Sequence, residues 1–150
     1  MYTYAYPRPA VTVDAIILTD ADEILLIQRG REPFKGKWAL PGGFADMDET
    51  LEEACRRELL EETGISVGQL EQYRVFDAIN RDPRHRTLTL AFYAFLPQLK
   101  NPVAGDDAAL AQWFSIHDLP PLAFDHELII SGFARDFLPK VSKRPGTGTK

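Results

Sequence analysis

The chain has 150 residues, 45% of them apolar and 26% charged, which suits one globular domain with a proper core. A net charge of −5 argues against nucleic-acid binding through a basic surface, and no stretch approaches the roughly 18 apolar residues of a membrane span. The single cysteine, Cys55, excludes an internal disulfide framework and a cysteine zinc cluster. It fits a reducing cytoplasm, as does a start that lacks the basic and apolar regions of a signal peptide.

In chain order, the β-branched run Ala10 to Leu18 predicts a strand, followed by a turn and a second strand over Ile24 to Gln28. Arg29 to Lys37 is a polar loop, and Trp38-Ala-Leu is a short apolar stretch ended by Pro41-Gly42-Gly43. A helix is expected over Asp48 to Thr63, capped by Thr50 or Asp48 and stopped by Gly64. Strands are expected over Gln72 to Ile79, Thr87 to Leu96 and Ala111 to Ile116, then a closing helix over Glu127 to Leu138 with Asp125 as its cap. Residues 139–150 hold four basic groups and no acid, and read as a disordered tail after a domain spanning 1–138. There is no internal repeat. The natural packing is an α/β (α+β) fold, a mixed sheet with helices on both faces.

The 48–63 helix carries the chemistry. Leu51, Ala54, Cys55 and Glu58 fall in one stripe, and Glu61 and Glu62 continue it. An apolar face that ends in three carboxylates repels itself, and partial burial raises the pKa values. The helix dipole also disfavours anions at a C-terminal end. A solvated acidic face beside Arg56 and Arg57 is the plain alternative. Because the acids share the apolar face, an oxygen-ligated Mg²⁺, or Mn²⁺, is the expected compensation. Cys55 on the same face is assigned to packing.

Read as a string, Gly43, five residues, Glu49, seven residues, Arg57-Glu58-Leu59, Leu60, Glu61-Glu62, Thr63, Gly64-Ile65 resembles the Nudix box at every defined position. The surrounding strands and loops also look like that family, over roughly residues 8–138. The resemblance implies an α/β/α sandwich and a metal-dependent pyrophosphohydrolase. It implies that Glu58, Glu61 and Glu62 bind metal together with the carbonyl of Gly42, and that Arg57 and Glu49 orient the carboxylates. Bridging cations make an anionic helix compatible with a diphosphate. The acid that takes the proton from water is left open between Glu61 and the loop aspartates Asp106 and Asp107.

Substrate choice must lie outside the box. Gln28-Arg29-Gly30, residues 33–44, Asp82-Pro-Arg-His-Arg86 and Leu119-Pro-Pro-Leu-Ala-Phe-Asp-His126 are similar to the ADP-ribose pyrophosphatase branch, although His85 stands where that branch has glycine. Arg29, Arg84 and Arg86, with Arg81 as a further candidate, are suited to phosphate or ribose. Phe44, Phe76 or Phe124 would stack on adenine, while Trp38 and Trp113 read as core. His126 is a possible ligand contact, with helix capping by Asp125 the simpler role for that turn. The expected reaction converts ADP-ribose to AMP and ribose 5-phosphate. The alternatives are another nucleoside diphosphate derivative or a nucleoside triphosphate, and a non-catalytic ADP-ribose or NAD-metabolite sensor. An intact box with no winged helix in the sequence favours the enzyme. By resemblance a homodimer is expected.

Overall fold

The computed structural model describes residues 3–105 and 108–138. Strands β1 (Ala10–Thr19) and β6 (Thr87–Leu96) form the parallel centre of a seven-stranded mixed sheet, in register from Ala10 opposite Thr87 to Thr19 opposite Leu96. β5 (Glu71–Phe76) lies antiparallel on the far side of β6. β2 (Glu23–Arg29) meets β1 antiparallel at Leu18 opposite Ile24, beside the turn that joins them. It then pairs with β7 (Ala108–Ser115) along its whole length. Two short strands occupy the space where β1 and β2 part. β3 (Trp38–Ala39) pairs with the end of β2, and β4 (Gly42–Phe44) with Thr12 to Asp14 of β1. That splayed opening is what makes room for a site.

The alternation of β1 explains the layers. Val13, Ala15 and Ile17 point to one face, where they are buried with Ala54, Cys55 and Leu59 of helix α1 (Leu51–Thr63). Ile16 and Leu18 point to the other, buried with Ile129, Ile130 and Phe133 of helix α2 (His126–Phe137). The expected α/β/α sandwich is the fold observed. Each fully buried valine, isoleucine, leucine or phenylalanine among them is worth about 1.5–3 kcal/mol of transfer free energy. Burial pushes the Cys55 thiol up to about 12, as expected of a packing residue. Trp38 and Trp113 pack against the two cores, as expected.

Helix α1 starts three residues later than the sequence suggested, because Thr50 closes a capping box. Its hydroxyl accepts the Glu53 N–H at 3.1 Å, and the Glu53 carboxylate accepts the Thr50 N–H at 2.8 Å. Gly64, at φ 73°, ends the helix in the left-handed region. β5 stops at Phe76 instead of Ile79. The carbonyl of Ala78 accepts the Arg81 N–H, and Arg86 takes the carbonyls of Asp77 and Ala78, so the chain turns there. β7 begins earlier than expected, at Ala108, since its register with β2 carries on to Arg29. Among the described residues no helix is long and apolar enough to cross a membrane. The expected basic tail, 139–150, and the loop acids Asp106 and Asp107 lie outside the described residues.

Candidate active site

A cleft of about 440 Å³ opens where β1 and β2 separate, bounded by α1, the β3–β4 segment and the loops around residues 81–87 and 124–126. One wall is acidic. Glu58 and Glu62 face the cleft from the last turns of α1. Glu62 accepts the Gly42 N–H at 2.8 Å, which fastens β4 to the helix. Burial pushes the Glu62 carboxyl up to about 8. The Gly42 hydrogen bond and Arg29 work against this rise, while Glu58 and Asp14 add to it. Gly43 passes so close that a Cβ there would come within 2.5 Å of a Glu58 carboxylate oxygen, so any larger residue must displace that carboxylate.

Arg57 organises this wall. Its guanidinium donates to both oxygens of Glu49, at 2.9 and 2.8 Å, and to the Phe44 carbonyl at 3.0 Å. A further nitrogen lies 3.2 Å from both Glu58 and Glu61. The Arg57 hydrogen bonds and the Asp46 N–H hold the Glu49 carboxyl down at about 2, a permanent anion that keeps the guanidinium oriented. Glu61 is more exposed than Glu58, to which it is joined through the shared Arg57 nitrogen. Its side chain is 42% exposed and, although held by Arg57, it is not part of the cleft lining.

The facing wall is cationic and aromatic. Arg29 donates to the Pro33 carbonyl at 2.6 Å and lies 5.0 Å above the Phe124 ring. Arg84 is clamped by Asp82 through bonds of 3.1 and 2.8 Å, and its guanidinium lies 5.3 Å from the Phe44 ring and 5.6 Å from Phe124. Burial lowers the Arg29 pKa, with a further push from Arg84. Two guanidinium groups that disfavour one another, opposite two carboxylates that do the same, suit a ligand with phosphate on one side and a bound cation on the other.

Some expected contacts are not brought here. Arg86 is spent on the Asp77 and Ala78 carbonyls and is absent from the cleft lining. Phe76 packs with Tyr73 on the α2 side of the sheet, away from the cleft. Arg81 lines the cleft floor, and the Nε–Nη2 edge of its guanidinium is held by Asp125 at 2.9 and 2.6 Å. Asp125 therefore makes no side-chain cap for α2, contrary to the capping role expected of it. The floor holds His126, a possible contact from the sequence, and beside it Asp14. Asp14 went unnoticed in the sequence, where its signal was an acid inside the apolar run AVTVDAIILT.

The donors fit a divalent cation. They are oxygens, and burial drives Glu62 toward protonation with only a backbone N–H and the field of Arg29 against it. Among the described residues no three acidic, imidazole or thiol side chains are gathered into a closed cage. Glu58, Glu62, the more exposed Glu61 and backbone oxygen are the oxygens a cation would take, with phosphoryl oxygens and water filling its other positions.

An α/β/α sandwich with an acidic helix end facing a cationic wall across a cleft of about 440 Å³ suits a phosphoanhydride ligand. The chain belongs to the NUDIX family, whose domain model matches residues 8–137. It is 46% identical to the ADP-ribose pyrophosphatase of Methanocaldococcus jannaschii over 132 residues, 87% of this chain and 76% of that protein. It is 38% identical to the ADPR responsive transcriptional repressor NtrR of Acinetobacter baylyi, covering 87% of this chain but 55% of the repressor. Among solved structures, the NUDIX domain of Shewanella oneidensis NrtR complexed with ADP ribose superposes with a TM-score of 0.83 at 34% identity, over 90% of this chain and 92% of that one.

Proposed function

We propose that this Nudix hydrolase cleaves the diphosphate of ADP-ribose, giving AMP and ribose 5-phosphate, with Mg²⁺ as its metal. The observation that carries this reading is the pairing of walls. Glu58 and Glu62 stand on one side of the cleft, and Arg29 and Arg84 with Phe124 on the other. Identity of 46% to an ADP-ribose pyrophosphatase supports the choice of substrate.

In this mechanism Glu58, Glu61, Glu62 and the Gly42 carbonyl hold the cation. A bound divalent cation neutralises phosphoryl charge and lowers the pKa of a water. Arg57, fixed by Glu49, keeps Glu58 and Glu61 in place. Arg29 and Arg84 bind phosphate oxygens, and Phe44 with Phe124 borders the base. Glu61, with the exposed side chain, or Asp107 takes the proton from the attacking water. We further propose that the protein works as a homodimer in the cytoplasm, a reading that rests on family resemblance and is tested by light scattering after gel filtration.

The test is incubation with ADP-ribose and Mg²⁺, with AMP followed by chromatography and Glu62→Gln run in parallel. Release of AMP by the wild type, falling about 10²–10³-fold in the variant, is expected for a residue that holds transition-state charge. No release from folded wild type sinks the substrate. The match to an ADPR responsive repressor then favours a second reading, a sensor that binds ADP-ribose without cleaving it.

A further inference from the structure

An aspartate in the middle of the central strand is costly to bury and needs partners. Asp14 is 6% exposed and lies on the α2 side of β1. Its Oδ2 accepts the Thr89 hydroxyl at 2.6 Å. Its Oδ1 faces His126 Nε2 across 3.6 Å, too far for a direct hydrogen bond. His126 is 4% exposed, and its Nδ1 accepts the Leu40 N–H at 3.0 Å, so the ring proton of the neutral imidazole sits on Nε2. Burial lowers the pKa of this ring despite the nearby acids Asp14 and Asp125, which keeps it neutral. Asp14 and His126 thus offer the cleft floor one acceptor and one donor, side by side and not satisfied by each other.

Ligand chemistries can be compared against this pair. A phosphoryl oxygen only accepts, and would meet the Asp14 carboxylate. A cation would meet the Nε2–H of His126. A hydroxyl both donates and accepts. The two oxygens of a ribose cis-diol lie about 2.7 Å apart, less than the 3.6 Å between Oδ1 and Nε2, so two hydrogen bonds of ordinary length that splay slightly outward reach both groups. One hydroxyl gives its proton to Asp14 while its neighbour accepts from His126. The pair also adjoins the diphosphate side of the cleft. Gly42 is opposite Asp14 in register, binds Glu62 through its N–H, and lacks the Cβ that would come within 2.7 Å of Asp14 Oδ1.

The geometry points to Asp14 and His126 as a bidentate reader of a ribose cis-diol, a specificity-determining pair beside the diphosphate site. The inference rests on the reading that the substrate is a nucleoside diphosphate ribose, and it leaves the choice between that molecule's two riboses to experiment.

The test measures kcat and KM on three substrates. These are ADP-ribose, its analogue lacking the 2′-hydroxyl of the adenosine ribose, and its analogue lacking the 2-hydroxyl of the terminal ribose. Wild type is expected to lose about 10- to 100-fold in kcat/KM on one analogue, chiefly in KM, the effect of leaving buried polar groups unmatched. Asp14→Asn and His126→Asn are expected to lose a similar factor on ADP-ribose and almost nothing more on that same analogue. His126→Asn keeps an acceptor near the Nδ1 position for Leu40 and removes the Nε2 donor. His126→Gln, which restores a donor near Nε2, should recover part of the loss. Equal proportional losses by the variants on all three substrates would assign the pair to scaffold and overturn the inference. So would wild-type rates within about threefold on all three, less than one hydrogen bond is worth, an outcome readable even if a variant fails to fold. Failure of folded wild type to cleave ADP-ribose is a different result, which overturns the substrate reading and the inference with it.

Discussion

The Gly42 N–H donates to Glu62 at 2.8 Å, so the strand that precedes the acidic helix is tied to one of the two acids that face the cleft from that helix. A neutral donor is a weak substitute for a cation. Glu62 remains pushed up to about 8, against an ordinary value of 4.5. A carboxyl that holds its proton more tightly when folded favours folding most below 4.5, and that contribution is lost as the pH rises through 8. In chelator-treated protein the melting temperature should therefore fall between pH 5 and 8. The slope from this group alone is at most about 1.4 kcal/mol per pH unit. Glu62→Gln should flatten that fall, and Mg²⁺ should stabilise wild type more at pH 8 than at pH 6. Thermal melts across the range check all three, and a wild-type profile that is flat in chelator would contradict the assignment.

The two glycines before the helix should fail differently. At Gly43 an added Cβ meets the Glu58 carboxylate, the end of a side chain that is able to move. Gly43→Ala should fold and lose activity by roughly tenfold or more through displaced Glu58. At Gly42 the same atom would sit 2.0 Å from the Val13 carbonyl, which is backbone within the central strand. Gly42→Ala should therefore cost stability as well, by about 1–3 kcal/mol of overpacking strain. Denaturant midpoints set beside kcat separate the two cases.

Arg84 and Arg86 are two residues apart and read alike in the sequence, but only Arg84 reaches the cleft. Arg84→Ala should raise KM for ADP-ribose about 10- to 100-fold. Arg86→Ala should leave KM within about threefold and show itself in the stability of the 77–86 turn. Equal KM effects from both would mean that the cleft is not where the phosphates lie.

The Arg81–Asp125 pair is bidentate and closed off from solvent, with Arg81 the deeper partner. Asp125→Ala leaves that guanidinium buried and unpaired, and should destabilise the fold by about 3–5 kcal/mol. Replacing both partners with apolar residues of similar size should recover much of the loss. Urea unfolding of the single and double variants distinguishes this from a lost helix cap, which would cost about 1 kcal/mol and would not respond to the second change.

The sequence by itself determined the parts that depend on local order. The alternation of β1, the full span of β6, the capping box at Thr50, the stop at Gly64 and the spacing of Glu58, Glu61 and Glu62 are consequences of neighbours in the chain. The family was legible for the same reason, because its box is a contiguous string. Tertiary structure decided what distant segments do to one another. That Arg86 serves a turn, that Asp125 holds Arg81 and does not cap α2, and that Glu61 is more exposed than Glu58 are facts of packing which no local pattern encodes. Asp14 and His126 meet across more than a hundred residues, because β1 and the start of α2 border the same opening between splayed strands. A buried acid in an apolar strand was visible in the sequence as an anomaly. Its partner was not, since the pairing is set by how the strands part and the helix returns.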